Sequence, residues 1–173
     1  MGSAQLPPTS RLDRASGRAS RRLRPLRHHP TQGLATAKLT DMHLIAYADG
    51  ASRGNPGPAA YGAVLCDADG VELDAWGNPI GRATNNVAEY QGAIAAVEAA
   101  LERGATKLEL RLDSDLIVQQ VRGTYRVRKQ QLKPLYKQLM NLLRELDHFE
   151  INHVYRELNT RADAMANEAL DRS

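Results

Sequence analysis

Four acidic residues carry the chemistry this sequence can do. Asp49 opens the run Asp-Gly-Ala-Ser-Arg-Gly-Asn-Pro-Gly-Pro at 49–58, Glu89 closes Thr-Asn-Asn-Val-Ala-Glu at 84–89, Asp113 begins Asp-Ser-Asp, and Asp163 lies four positions after Asn159. Taken singly, Glu89 reads as a solvated helix residue and Asp163 as a charge at a helix N-terminus. Asp49 and Asp113 resist that reading, because each ends an apolar run where a charge needs a cation or several donors. Four carboxylates brought together repel one another unless a cation sits among them. A hard divalent ion suits such an all-oxygen set, magnesium first and manganese as its substitute. Two such ions about 3.5–4 Å apart activate a water and stabilise the leaving oxygen in an in-line phosphodiester displacement. The expected chemistry is therefore phosphodiester hydrolysis on nucleic acid.

The elements that would position these acids follow from periodicity. Residues 43–48, 60–67 and 71–77 read as three strands separated by a Gly/Pro-rich loop and by the turn Asp-Ala-Asp-Gly at 67–70, which makes the start an antiparallel meander. Thr84 is a good N-cap, and Val87, Tyr90, Ile94, Val97 and Leu101 recur on one helical face until Gly104 stops the helix. Residues 107–112 read as a strand and 114–121 as a short helix. Leu132, Leu135, Leu139, Leu142 and Leu146 mark an amphipathic helix, residues 149–154 a last strand, and a helix runs from about 160 to the end. The order is βββαβααβα, an α/β class with a mixed five-stranded sheet flanked by helices. Such sheets bring strand carboxyl ends and helix N-termini to one rim, so the four acids are expected to converge.

Composition bounds the partners. Of 173 residues 42% are apolar and 25% charged, an ordinary globular balance that suggests one compact domain plus a tail. No run approaches the ~18 apolar residues of a membrane span, so no membrane partner is expected. The one cysteine, Cys66, excludes an internal disulfide; lying in an apolar segment, it reads as a buried thiol in a reducing, cytoplasmic compartment. Seven arginines and one lysine against a single acid make residues 1–40 +7, leaving −4 for the remainder of the +3 total. Affinity for nucleic acid must therefore come from local patches of the domain. Residues 1–41 are expected to be a disordered basic tail and 42–173 the folded domain. The tail is open to three readings: a transit peptide, a phosphate-tethering arm, or an upstream extension of the frame ahead of Met42.

Two groups of residues suit a nucleic-acid duplex. Asn55, Thr84, Asn85 and Asn86 are short polar groups at the expected rim, fit for sugar hydroxyls, base edges and phosphate, with pure capping as the alternative for Thr84. Residues 122–137 hold Arg122, Arg126, Arg128, Lys129, Lys133 and Lys137 and no acid. They read either as a phosphate-contacting handle or as a solvated helix face, and Tyr125 among them as a sugar-stacking or core-capping ring.

From about residue 43 to 171 the sequence resembles type 1 ribonuclease H. The motifs that carry the likeness are the Asp-Gly followed by Gly-Asn-Pro-Gly-Pro, Tyr-Gly-Ala at 61–63, Thr-Asn-Asn with Glu89 three positions on, Asp113-Ser114, and Asn159 before Asp163. Nothing in the sequence demands more than a monomer, and the resemblance implies metal-dependent cutting of the RNA strand of RNA/DNA hybrids. In it Asp49, Glu89, Asp113 and Asp163 serve as catalytic metal ligands for two ions, and Asn55, Thr84, Asn85 and Asn86 as hybrid contacts. Two departures stand out. Many members carry a histidine in a loop before the last acid; here that loop is Val154 to Asn159, with Glu157 in the histidine's place and Arg156 in reach of the scissile phosphate. His153, earlier, reads as structural. The long basic protrusion of some members is reduced to residues 122–137. The chain thus resembles a short variant, with Arg-Glu-x-Asn before Arg-x-Asp. Two rival readings are a resolvase- or integrase-like DNA nuclease and a hybrid-binding module that has lost catalysis.

Overall fold

The structure, a computed structural model, describes residues 41–173. The tail expected over 1–41 lies outside the described residues except for Asp41, which belongs to the domain: its carboxylate accepts from Lys107 Nζ at 2.8 Å. The order is β1 (His43–Ser52), β2 (Gly57–Asp67), β3 (Glu72–Ala83), α1 (Asn85–Glu102), β4 (Lys107–Leu112), α2 (Asp115–Arg122), α3 (Lys133–Leu143), β5 (His148–His153) and α4 (Thr160–Asp171). A 3₁₀ turn at Arg156–Leu158 precedes α4. The five strands form one sheet in the order β3-β2-β1-β4-β5. The first three pair antiparallel, while β4 and β5 run parallel to β1. The expected α/β class and βββαβααβα order hold. No helix among the described residues is long and apolar enough to cross a membrane.

Period-2 alternation decides what each sheet face covers. Leu44, Ala46 and Ala48 of β1 and Leu108, Leu110 and Leu112 of β4 are buried in one cluster with Tyr90, Ile94 and Val97 of α1 and Leu139 and Leu143 of α3. Each buried leucine, isoleucine or valine among them contributes about 1.5–3 kcal/mol. The intervening residues face the other way, where Ile45, Val64 and Cys66 meet Ala162 of α4. Cys66 is buried there as a free thiol, and burial pushes its pKa up.

Several boundaries differ from the sequence reading. Strand β1 continues past Ala48 to Ser52, because Asp49 to Ser52 keep pairing with β2, whose start moves back to Gly57. Strand β3 runs six residues beyond 77, through Pro79. As an edge strand it needs no donor from proline on its open side, and a bulge there pairs Ala59 with Gly81 and Ala60 with Pro79. Leu132 and Leu146 flank α3 rather than lying in it, although both are buried.

Two close approaches set the positions of the helices that bear acids. A Cβ on Gly50 would stand 2.2 Å from the Glu89 amide nitrogen, and one on Gly62 would stand 2.1 Å from the Ala162 carbonyl oxygen. Glycine at these sites lets α1 and α4 lie directly on the strands, one on each face.

Candidate active site

Parallel pairing of β1 with β4 ends at Ala48 and Leu112, so Asp49 and Asp113 are the next residues along two neighbouring strands. Alternation turns both toward the face that α4 covers. Asp49 is buried, and its Oδ1 accepts from the Gly50 N–H at 2.8 Å. Burial first, then the charge of Asp113 and a hydrogen bond with Asp163, push its carboxyl up to about 8. Glu89, half-buried near the start of α1, is also raised, chiefly by burial; hydrogen bonds from Ser114 and Asn85 oppose the rise and Asp113 adds to it. Asp163, in the first turn of α4, accepts from Arg156 Nη2 at 3.0 Å. The Arg156 guanidinium is in turn held charged by Asp163, with Asp49 and Asp113 adding to the effect.

These groups line one polar cavity of about 310 Å³, whose wall includes Asp49, Glu89, Asp113, Asp163, Asn85 and Arg156. A larger, mostly apolar cleft of about 570 Å³ lies beside the start of β1, lined by Met42, Leu44 and Leu73 among others. Chemistry favours the smaller one, where carboxylates from four separate elements meet. Among the described residues no three His, Cys, Asp or Glu side chains close on a single point like a finished metal cage. The acids instead rim the cavity, with Arg156 as its cation. An oxygen-only donor set whose most buried member resists ionisation is short of positive charge, and that fits a hard divalent cation.

The other residues singled out in the sequence distribute unevenly. Asn55 Oδ1 accepts from the Asn85 N–H at 3.2 Å and Asn85 Nδ2 donates to Glu89 Oε1 at 2.9 Å, so the loop between β1 and β2 is joined to α1 and to an acid. Thr84 Oγ1 caps α1 by accepting from the Val87 N–H at 3.3 Å. Asn86 is half-buried beside it. Glu157 is exposed on the turn that carries Arg156 but does not line the cavity. His153 is also outside it, exposed at the end of β5 with its ring edge-on to Tyr155.

Residues 123–132 are mainly loop rather than helix, with Arg126, Arg128, Lys129 and Tyr125 exposed; Lys133 and Lys137 are exposed on α3. Arg122 has a structural commitment: it donates to the Ile151 carbonyl at 2.7 Å and to Asn152 Oδ1 at 3.2 Å, tying α2 to the edge of β5. Two site residues escape the sequence reading. Asn167 lines the cavity and donates to the Asp163 carbonyl at 2.9 Å; its place one turn after Asp163 is the available signal. Ser114 enters that reading only as part of a motif.

The raised carboxyls have a consequence for stability. In the metal-free protein, folded Asp49 and Glu89 hold protons at pH values where the unfolded chain has released them. Their contribution is full below the unfolded carboxylate range, about pH 4, and for Asp49 is lost as pH rises through about 8. Acids held low, such as Glu109 beside Arg111, have titrated below this window. Melting of metal-free protein should therefore shift down between about pH 5 and pH 8, and magnesium should raise it most at the upper end. A melting temperature that rises over this window without metal would contradict the buried-acid account.

Comparison with known proteins agrees with this geometry. A family model described as "Reverse transcriptase-like" matches residues 47–169. Ribonuclease HI of Halobacterium salinarum is 51% identical over 126 residues, which is 73% of this chain and 63% of that protein. The chain thus spans less than two thirds of that relative's length. The crystal structure of RNase H1 from the same archaeon superposes with a TM-score of 0.74 at 49% identity, covering 76% of this chain and 99% of that one. LC11-RNase H1, solved in complex with an RNA/DNA hybrid, gives 0.71 at 40% identity over 75% and 97%. Overall fold and sequence agree across these matches, and the chain belongs to the type 1 ribonuclease H family.

Proposed function

We propose that this chain is a metal-dependent endoribonuclease that hydrolyses the RNA strand of RNA/DNA hybrids. The observation that carries the reading is the meeting of carboxylates from β1, α1, the end of β4 and α4 around one polar cavity, on a domain of this family. LC11-RNase H1, a relative of the same fold, has been solved with a hybrid bound. Asp49, Glu89, Asp113 and Asp163 would hold two Mg²⁺ ions, with Mn²⁺ as substitute. When bound, such ions activate a water for attack on phosphorus and stabilise the leaving oxygen, giving 5′-phosphate and 3′-hydroxyl ends.

The protein's own groups do the positioning. Asn85 orients Glu89 by donating to its carboxylate. Asn85 on the cavity wall, with Asn55, Thr84 and Asn86 close to it in the chain or by hydrogen bond, would present short donors and acceptors to a minor groove, where 2′-hydroxyls distinguish RNA from DNA. Arg156, exposed and facing the acids, exchanges its bond to Asp163 for the scissile phosphate. Glu157, exposed and off the cavity wall, is the residue that would take the place of the family's loop histidine. Cys66, a buried free thiol, suits a reducing compartment such as the cytoplasm, and a single copy supplies all four acids, consistent with a monomer.

The exposed loop carrying Arg126, Arg128 and Lys129 serves as the handle for hybrid phosphates. Alanine at these three positions should weaken hybrid binding and lower its salt slope by about 0.7–0.9 for each phosphate left without its cation; an unchanged slope would reduce the loop to a solvated one. Arg122 is set apart from this test, since removing it would loosen β5. The function itself is tested by offering an RNA/DNA hybrid beside matched double-stranded RNA, double-stranded DNA and a four-way junction, with magnesium, manganese or chelator. Metal-dependent cutting of the hybrid's RNA is expected. Junction cutting would move the chain to the resolvase reading, and hybrid binding without cutting to a binding module.

A further inference from the structure

Asn159 is the most deeply buried polar residue of the domain, 2% exposed. It stands at the N-cap of α4, where an asparagine side chain ordinarily accepts from the first-turn amides, yet it makes no cap bond. Its Nδ2 instead donates to the Ala48 carbonyl at 2.9 Å and to Asp113 Oδ1 at 3.1 Å. Its backbone carbonyl accepts from the Asp163 N–H at 3.1 Å. The Oδ1 atom is buried with no hydrogen-bond partner among the described residues. The reverse amide orientation would set Oδ1 against a carbonyl and a carboxylate, both acceptors, so the donors must face them.

One residue therefore touches three of the four acid-bearing segments: β1 next to Asp49, Asp113 directly, and Asp163 through the main chain. A capping bond is given up, which is unfavourable for folding alone. The arrangement is accounted for by what the two donors hold. We propose that Asn159 is a positioning residue that fixes the Asp113 carboxylate, and the separation of α4 from β1, in the geometry that receives the metal ions. The proposal rests on the metal-site reading above. It explains why asparagine rather than aspartate occupies the site: the isosteric carboxylate has no hydrogen to give to either acceptor.

The test compares wild type with Asn159→Asp and Asn159→Ala. Magnesium binding is followed by titration calorimetry in the absence of substrate, cleavage of a hybrid by kcat and KM, and folding by thermal unfolding. Expected is a roughly 10–100-fold loss of magnesium affinity or of kcat, the range for removal of a group that orients a metal ligand, with the hybrid KM retained and Asn159→Asp the worse of the two. Variants that melt earlier but, below their melting point, keep wild-type magnesium affinity and kcat would overturn the proposal by making Asn159 a structural staple only. If neither variant folds, the wild-type side-chain amide resonance of Asn159 decides. Movement during a magnesium titration supports the role, and a resonance that stays still through saturation overturns it. A wild type that binds no magnesium would instead refute the underlying metal site.

Discussion

Asp49→Asn is expected to abolish hybrid cleavage while leaving the protein folded, with a metal-free melting temperature near pH 8 at or above that of the wild type. The carboxylate is buried, and its ionisation is opposed by burial and by Asp113. In the metal-free state its charge is therefore a liability that the amide removes with little change of volume. The contact made by its Oδ1, accepting from the Gly50 N–H, can be kept by the amide oxygen. In the proposed reaction the same charge would be needed, because a neutral ligand holds divalent cations poorly. Metal-ion catalysis supplies several kcal/mol of transition-state stabilisation, so the loss should be roughly 10³-fold or more. Turnover and thermal unfolding measured on one preparation check both halves. Retained turnover would remove Asp49 from the metal site, and an unfolded variant would show that its charge is structural.

Gly50→Ala should be strongly damaging, because the added methyl meets the backbone of the helix that carries Glu89. An ideal Cβ there lies 2.2 Å from the Glu89 nitrogen and 2.5 Å from the Ala88 carbonyl carbon. Both are backbone atoms of α1, with no flexible side chain to yield, so the helix must back away from β1. Overpacking of this kind costs typically 1–3 kcal/mol and occasionally more, and because the displaced residue is Glu89 the cost extends to the site. Gly62→Ala acts similarly on the opposite face, pushing against Ala162 in the turn that carries Asp163. A lowered denaturation midpoint together with loss of metal-dependent cleavage is expected. Wild-type stability and activity in Gly50→Ala would mean that α1 does not sit against β1 as described.

Much of this architecture is legible in the sequence because it follows from periodicity. Leu108, Leu110 and Leu112 alternate onto one face of β4, and Thr84 and Gly104 bracket α1 as their chemistry requires. The misjudged parts are those where tertiary pairing overrides local signals. Gly77-Asn78-Pro79 has the composition of a turn, yet it continues β3 because an edge strand tolerates proline and a bulge absorbs the extra residue. Asp49 ends an apolar run without ending its strand, since small polar residues on β1 still find partners on β2. At the site, Asp49 and Asp113 stand out because charge after an apolar strand needs an explanation, whereas Glu89 and Asp163 stand out only through the motifs around them. Asn167 and Ser114 do not, since each alone is an ordinary polar residue at or on a helix. Arg122 shows the limit most clearly: its place in a basic run suggests phosphate, whereas its guanidinium is committed to the Ile151 carbonyl, a partner 29 residues away that no local pattern reveals.

The most direct measurement is strand-resolved cleavage of an RNA/DNA hybrid carrying a different label on each strand, with magnesium and again with chelator. The account predicts internal cuts in the RNA strand alone, with 5′-phosphate ends, abolished by chelation. Cutting of the DNA strand, or RNA cutting that persists with the metal removed, would contradict it.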